Sequence, residues 1–120
     1  MSTNEIANRL VELCRQGKFE EAQKELYAAD AISIEPDGAP GMKTVEGLEK
    51  IIEKGHQFQA MVEEFHSSEL SEPVIAGNYF SISLIMDVTF KGMGRTTMEE
   101  IALYKVNNGK VVCEEFFYAV

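Results

Sequence analysis

At 120 residues the chain is long enough for one domain with its own core and too short for two. Hydrophobic residues make up 45% and charged residues 26%, the balance of a folded globule and not of a disordered segment. Twenty acidic residues against eleven basic ones leave a formal net charge of −9, with the basic residues scattered, which argues against nucleic acid and against an anionic membrane surface as partners. No apolar run approaches the ~18 residues of a membrane span, and the start Met-Ser-Thr-Asn-Glu has neither the basic residues nor the apolar stretch of a secretory signal. A cytoplasmic protein is expected.

Ser2 followed three residues later by Glu5 forms a capping box, in which each side chain satisfies a free backbone N–H at the other's end. Ile6, Leu10, Leu13 and Cys14 then recur at helical spacing, and Gly17 is placed to close this first helix. A second helix is expected from about Lys18 to Ala29, with Phe19, Ala22, Leu26 and Tyr27 on one side. Ala31 to Glu35 reads as a short strand, stopped by the turn-forming run Pro36-Asp37-Gly38-Ala39-Pro40-Gly41. Thr44 is placed to cap a third helix whose apolar face is Val45, Leu48, Ile51, Ile52 and Phe58, with Gly55 marking a bend, a close approach or the helix end.

From Val62 the period changes to two. A strand holding Phe65, His66, Ser67 and Ser68 ends near Pro73; Tyr79 to Phe90, Thr96 to Val106 and Val111 to Val120 are three further strands joined by glycine-containing turns. Hairpin-linked strands imply an antiparallel sheet, and three helices gathered before it make the class α+β, in a single domain over residues 1–120. Cys14 and Cys113 sit far apart inside apolar patterns and read as structural thiols rather than a disulfide.

Several of these segments resemble the SnoaL-like group of the NTF2-like superfamily. They are Gly17-Lys18-Phe19-Glu20-Glu21-Ala22, Leu26-Tyr27-Ala28-Ala29-Asp30-Ala31, Gly47-Leu48-Glu49-Lys50-Ile51, Asn78-Tyr79-Phe80, Met86-Asp87-Val88-Thr89, Met98-Glu99-Glu100-Ile101-Ala102-Leu103-Tyr104 and Glu114-Glu115-Phe116-Phe117-Tyr118. The resemblance implies a cone-shaped fold, three N-terminal helices packed on a curved antiparallel sheet around a pocket. That scaffold hosts isomerases, cyclases, dehydratases, hydrolases and non-catalytic domains, so fold alone does not choose among them.

Ionisable groups inside apolar strands carry the chemical signal. Asp87 interrupts Leu84-Ile85-Met86 and Val88; a carboxylate desolvated there is raised toward neutrality and suited to proton transfer. A three-residue Asn107-Asn108-Gly109 turn sets Tyr104 opposite Val112, Ala102 opposite Glu114 and Glu100 opposite Phe116, so that Glu100, Glu114, Tyr104 and Tyr118 share one face; a two-residue turn breaks the grouping. The turn after Phe90 leaves two registers, with Asp87 opposite Glu100 or opposite Glu99. Asp87, His66 and Glu100 are the candidate catalytic residues, His66 or Tyr118 acting as partner or oxyanion donor. Tyr118, Glu114, Tyr104 and His56 are candidate ligand-binding residues, His56 overhanging the pocket mouth. Each has a competing account: a solvated strand face for the acids, a satisfied strand histidine for His66, a solvated helix end for His56.

With two histidines and no repeated ligand spacing, neither a metal nor a cofactor is expected. Two functions stay open: acid/base isomerase or cyclase chemistry on a small apolar carbonyl compound, or a non-catalytic small-molecule binding or dimerising module. The apolar content of both strand faces points to a homodimer.

Overall fold

The computed structural model describes all 120 residues. Helix α1 (Thr3–Arg15) begins on the expected capping box: the Glu5 N–H donates to the Ser2 hydroxyl at 3.1 Å and the Ser2 N–H to the Glu5 carboxylate at 2.9 Å. Its buried stripe is Ile6, Ala7, Leu10, Val11, Leu13 and Cys14. Helix α2 (Phe19–Leu26) stops before the expected Ala29, because the backbone becomes extended at Tyr27 and strand β1 (Tyr27–Ile34) starts there. Tyr27 sits beside Val111 in the sheet with its ring buried, so sheet pairing overrides the local helical preference of Tyr-Ala-Ala.

Thr44 does not cap the third helix. Its hydroxyl instead accepts from the Glu35 N–H at 3.0 Å, and Val45–Glu46 adds a short strand β2 to β1. Gly47 makes the corner into α3 (Leu48–Met61) with φ of 104°, a conformation that favours glycine, and its N–H donates to the Ala31 carbonyl at 2.7 Å. Gly55 lies within α3 without ending it. The remaining strands are β3 (Val62–Leu70), β4 (Val74–Ala76), β5 (Tyr79–Phe90), β6 (Gly94–Asn107) and β7 (Lys110–Phe117); β4 is an added short strand paired to β5.

The sheet order is β2-β1-β7-β6-β5-β3. Every pair is antiparallel except β1 and β7, which run parallel, so the sheet is mixed. Register breaks in β1, β3 and the β6–β7 pair accompany its curvature. On its inner face Phe80, Ile82, Ala102, Tyr104, Val106 and Val111 pack against α1 and α2, with Phe80 and Tyr104 stacked at 4.7 Å. Each large aliphatic side chain buried this way stabilises the fold by ~1.5–3 kcal/mol. Helix α3 closes the other end, where Phe58 meets the edge of Phe90 at 5.8 Å.

The last hairpin turns on two residues, Asn108 and Gly109, both at positive φ, between the paired Asn107 and Lys110. This corrects the expected three-residue turn, yet the grouping of side chains survives. A bulge between Lys105 and Val106 shifts the register once more, so that Tyr104 pairs with Glu114 and Ala102 with Phe116. Two single-residue shifts restore the original facing, because side chains alternate with period two.

Candidate functional site

Strand alternation delivers the site. Along β6, Tyr104, Ala102 and Glu100 follow one another on the inner face; on β7, Glu114 and Phe116 lie beside Tyr104 and Ala102. In the parallel pair Ser33 of β1 lies next to Glu114, and Glu35, two residues on, shares its facing. From the opposite side Lys54, one helical turn after the buried Ile51 on α3, points into the same interior.

These residues form one hydrogen-bonded chain. The Tyr27 phenol and the Ser33 hydroxyl both donate to the Glu114 carboxylate, the latter at 2.6 Å. The Lys54 ammonium donates to Ser33 Oγ and to a Glu35 oxygen, each at 2.7 Å, and lies 5.6 Å from the centre of the Phe116 ring. The other Glu35 oxygen accepts from the Tyr118 hydroxyl at 2.5 Å. Glu114, Glu35, Lys54 and Ser33 are all buried, and no buried side-chain nitrogen or oxygen lacks a partner. A closed network of this kind lets ionic groups persist in an interior that would otherwise expel them.

Glu100 differs from its neighbours. It is largely enclosed on the inner face but takes no side-chain hydrogen bond, and its oxygens are not sealed from solvent. Burial, then the carboxylates of Glu35 and Glu114, push it up to about 7, against the pull of Lys54. Burial also raises Glu114, although Ser33 and Tyr27 oppose that by stabilising its ionised form. Tyr27 and Tyr104 are raised by burial and by Glu114, and Tyr118 by burial and by its bond to Glu35, so all three phenols stay protonated at neutral pH. The arrangement offers one acid–base group near neutrality at the open end of a satisfied polar network.

Of the residues singled out from sequence, Glu100, Glu114, Tyr104 and Tyr118 gather here. Asp87 does not: the turn Lys91-Gly92-Met93 pairs Phe90 with Gly94 and sets Asp87 opposite Thr97, while Glu100 lies opposite Leu84. Leu84 and Asp87 are three residues apart, so Asp87 and Glu100 face opposite sides of the sheet. Nor is Asp87 desolvated. Arg95 grips it through two hydrogen bonds of 3.0 and 2.8 Å and holds its carboxyl below the usual range. His66 is on that outer side as well, bonded to the Thr89 hydroxyl at 2.8 Å and 3.2 Å from Glu64, because a bulge between Phe65 and Ser67 turns it out. His56 is exposed on α3 and pairs with Glu20 of α2, bracing two helices instead of overhanging the site. The thiols are unpaired, Cys14 being buried and pushed up to about 12 by that burial. No three His, Cys, Asp or Glu side chains are arranged to hold a metal ion.

Tyr27, Ser33, Glu35 and Lys54 escaped the sequence reading. A signal existed for three of them. Lys54 stands three residues after Ile51 and four before Phe58, inside an apolar stripe, and Ser33 and Glu35 alternate in phase along a strand otherwise built for burial. Tyr27 carried no such mark, since it read as helical.

The SnoaL-like domain model matches residues 1–118. A protein from Mesorhizobium loti, provisionally assigned as a SnoaL-like polyketide cyclase, is 35% identical, with 98% of this chain and all of that one aligned at a TM-score of 0.91. An NTF2-like protein of unknown function from Burkholderia pseudomallei superposes at 0.81 with 19% identity over 99% of this chain and 92% of its own. TerC, co-crystallised with polyporic acid, gives 0.78 with 17% identity over 98% and 92%. No curated protein sequence matches. The family model spans almost the whole length and the fold agrees throughout, and the chain belongs to the SnoaL-like domain family, with the NTF2-like, cystatin-like architecture.

Proposed function

We propose that the chain takes a small organic ligand against the inner face of its sheet and that Glu100 exchanges a proton with it, in isomerase- or cyclase-type chemistry on a carbonyl compound. The observation that carries this is Glu100 itself. It is the enclosed carboxyl of the site left without a partner, and it titrates near 7, where one side chain serves as base when ionised and acid when protonated. Membership of the SnoaL-like family supports a small-molecule role, and the fold neighbour TerC was co-crystallised with an organic acid.

The test is hydrogen–deuterium exchange at the carbon next to the carbonyl of small cyclic ketones, followed by NMR. Exchange catalysed by the parent protein is expected to rise through pH ~7 as Glu100 ionises, and to be lost in Glu100→Gln. Exchange that persists undiminished in that variant overturns the reading.

One observation favours a binding module without turnover: both donors nearest Glu35, Lys54 and Tyr118, already serve that carboxylate, which leaves an enolate oxygen without a ready partner. Ketones that bind, with no exchange at any pH, distinguish this case. We also infer a homodimer through the outer face of the sheet. Ile85, Ile101 and Phe117 are partly exposed there, with Ile101 paired to Phe117, an apolar strip of the kind a second copy covers.

A further inference from the structure

We propose that Lys54 and Glu35 are positioning residues: their buried ion pair sets the charge that Glu100 meets, and so the pH at which Glu100 gives up its proton. The inference rests on the reading of Glu100 as the proton-transfer group and adds how that group is controlled.

The geometry carries it. Lys54 comes from α3 and Glu35 from the chain just beyond β1, and neither element shares a strand with Glu100. Their side chains are 7% and 4% exposed, and the nitrogen and oxygen lie 2.7 Å apart. At that burial water screens little, so a unit charge on either is felt across the interior. The charged and titratable groups facing Glu100 are Glu35, Glu114 of β7, Lys54 of α3, Tyr118 after β7 and Tyr104 further along β6; Lys54 lies over the ring of Phe116, which pairs with Ala102 two residues from Glu100. The opposing residue on β5 is the apolar Leu84. Two carboxylates repel the Glu100 anion and one ammonium attracts it, so Lys54 is the cation that keeps the site from holding three uncompensated acids.

Neither residue needs to touch a ligand. Lys54 is held by Ser33 and Glu35, and Glu35 is saturated by Lys54 and Tyr118. Removing Glu35 leaves the ammonium unopposed, which favours ionised Glu100. Removing Lys54 leaves Glu35 and Glu100 without a common cation, so the second of them to ionise does so at higher pH.

The experiment is titration of side-chain carboxyls by carbon-13 NMR in the parent, Glu35→Gln, Lys54→Met and the double variant, with Glu100 assigned by its disappearance in Glu100→Gln. The parent inflection is expected near 7, and Glu35→Gln should lower it by about one pH unit. Lys54→Met should place the last inflection of the cluster above the parent's, with the double variant between the two singles. Should Lys54→Met fail to fold, Glu35→Gln still decides, because it removes a single charge from beside Glu100. A parent inflection near 7 that stays put in Glu35→Gln overturns the positioning role and leaves the role of Glu100 standing. A parent Glu100 titrating near the ordinary carboxylate value overturns both.

Discussion

Glu100 has a cost as well as a use. Its carboxyl ionises near 7 in the folded chain against a reference of 4.5. Between those values the folded state keeps a proton that the unfolded state has released, so stability falls as pH rises from about 4.5 to about 7 and then levels off. Glu100→Gln removes the penalty. Its melting temperature is expected to exceed the parent's at pH 8, by a free energy on the order of 2 kcal/mol allowing for residual solvent access, and the gain should vanish near pH 4.5. Thermal melts by circular dichroism at both pH values check this; equal gains at the two would refute it. Asp87 predicts the opposite pattern. It is held by Arg95 on the outer face, so Asp87→Asn should leave ligand binding and ketone exchange as they are in the parent. A lost activity in that variant would return Asp87 to the site.

The elements are joined by a few side chains whose removal is felt widely. Leu26 ends α2 and is buried to 1% exposure in the core under α1. Leu26→Ala should destabilise by about 2–5 kcal/mol, read as a lowered urea midpoint with an unchanged slope. The hairpin between β6 and β7 makes a separate demand. Gly109 has φ of 73°, and an added methyl would come within 3.3–3.4 Å of Met1 backbone atoms, so Gly109→Ala should cost ~1 kcal/mol or more. A larger loss, with far-UV change, would mean that the register of β7 has slipped. A slip by one residue would turn Glu114 out of the interior, since facing alternates along the strand.

For the whole molecule, the two sides of one sheet have separate work. The inner side holds the acidic network and the helices; the outer side holds the Asp87–Arg95 pair, His66 and the strip Ile85, Ile101 and Phe117. A dimer through that strip predicts that Ile101→Lys sediments as a monomer at concentrations where the parent is dimeric, while its Glu100 inflection stays near 7. A monomeric parent at micromolar concentration would remove the interface. No helix is long and apolar enough to cross a membrane.

Local chemistry made much of this legible in advance. The capping box at Ser2 and Glu5, the glycine turns and the switch from helical to alternating periodicity specify three helices and the run of strands after the third, because each depends on residues within a few positions of one another, whereas β1 and β2 enter the sheet ahead of α3. The grouping of Glu100, Glu114, Tyr104 and Tyr118 was expected from a three-residue turn and holds by another route, since the two-residue turn and the bulge between Lys105 and Val106 together return the register to the same parity. What no single segment contained was the long-range pairing. The register across the Lys91-Gly92-Met93 turn sent Asp87 outward, the parallel alignment of β1 with β7 brought Ser33 to Glu114, and the docking of α3 placed Lys54 against Glu35. Sequence alone determined the helices and the alternation along each strand; only the tertiary structure decided which acids share a face and which meet a cation, because a charge deep in the fold is compensated by groups far away along the chain.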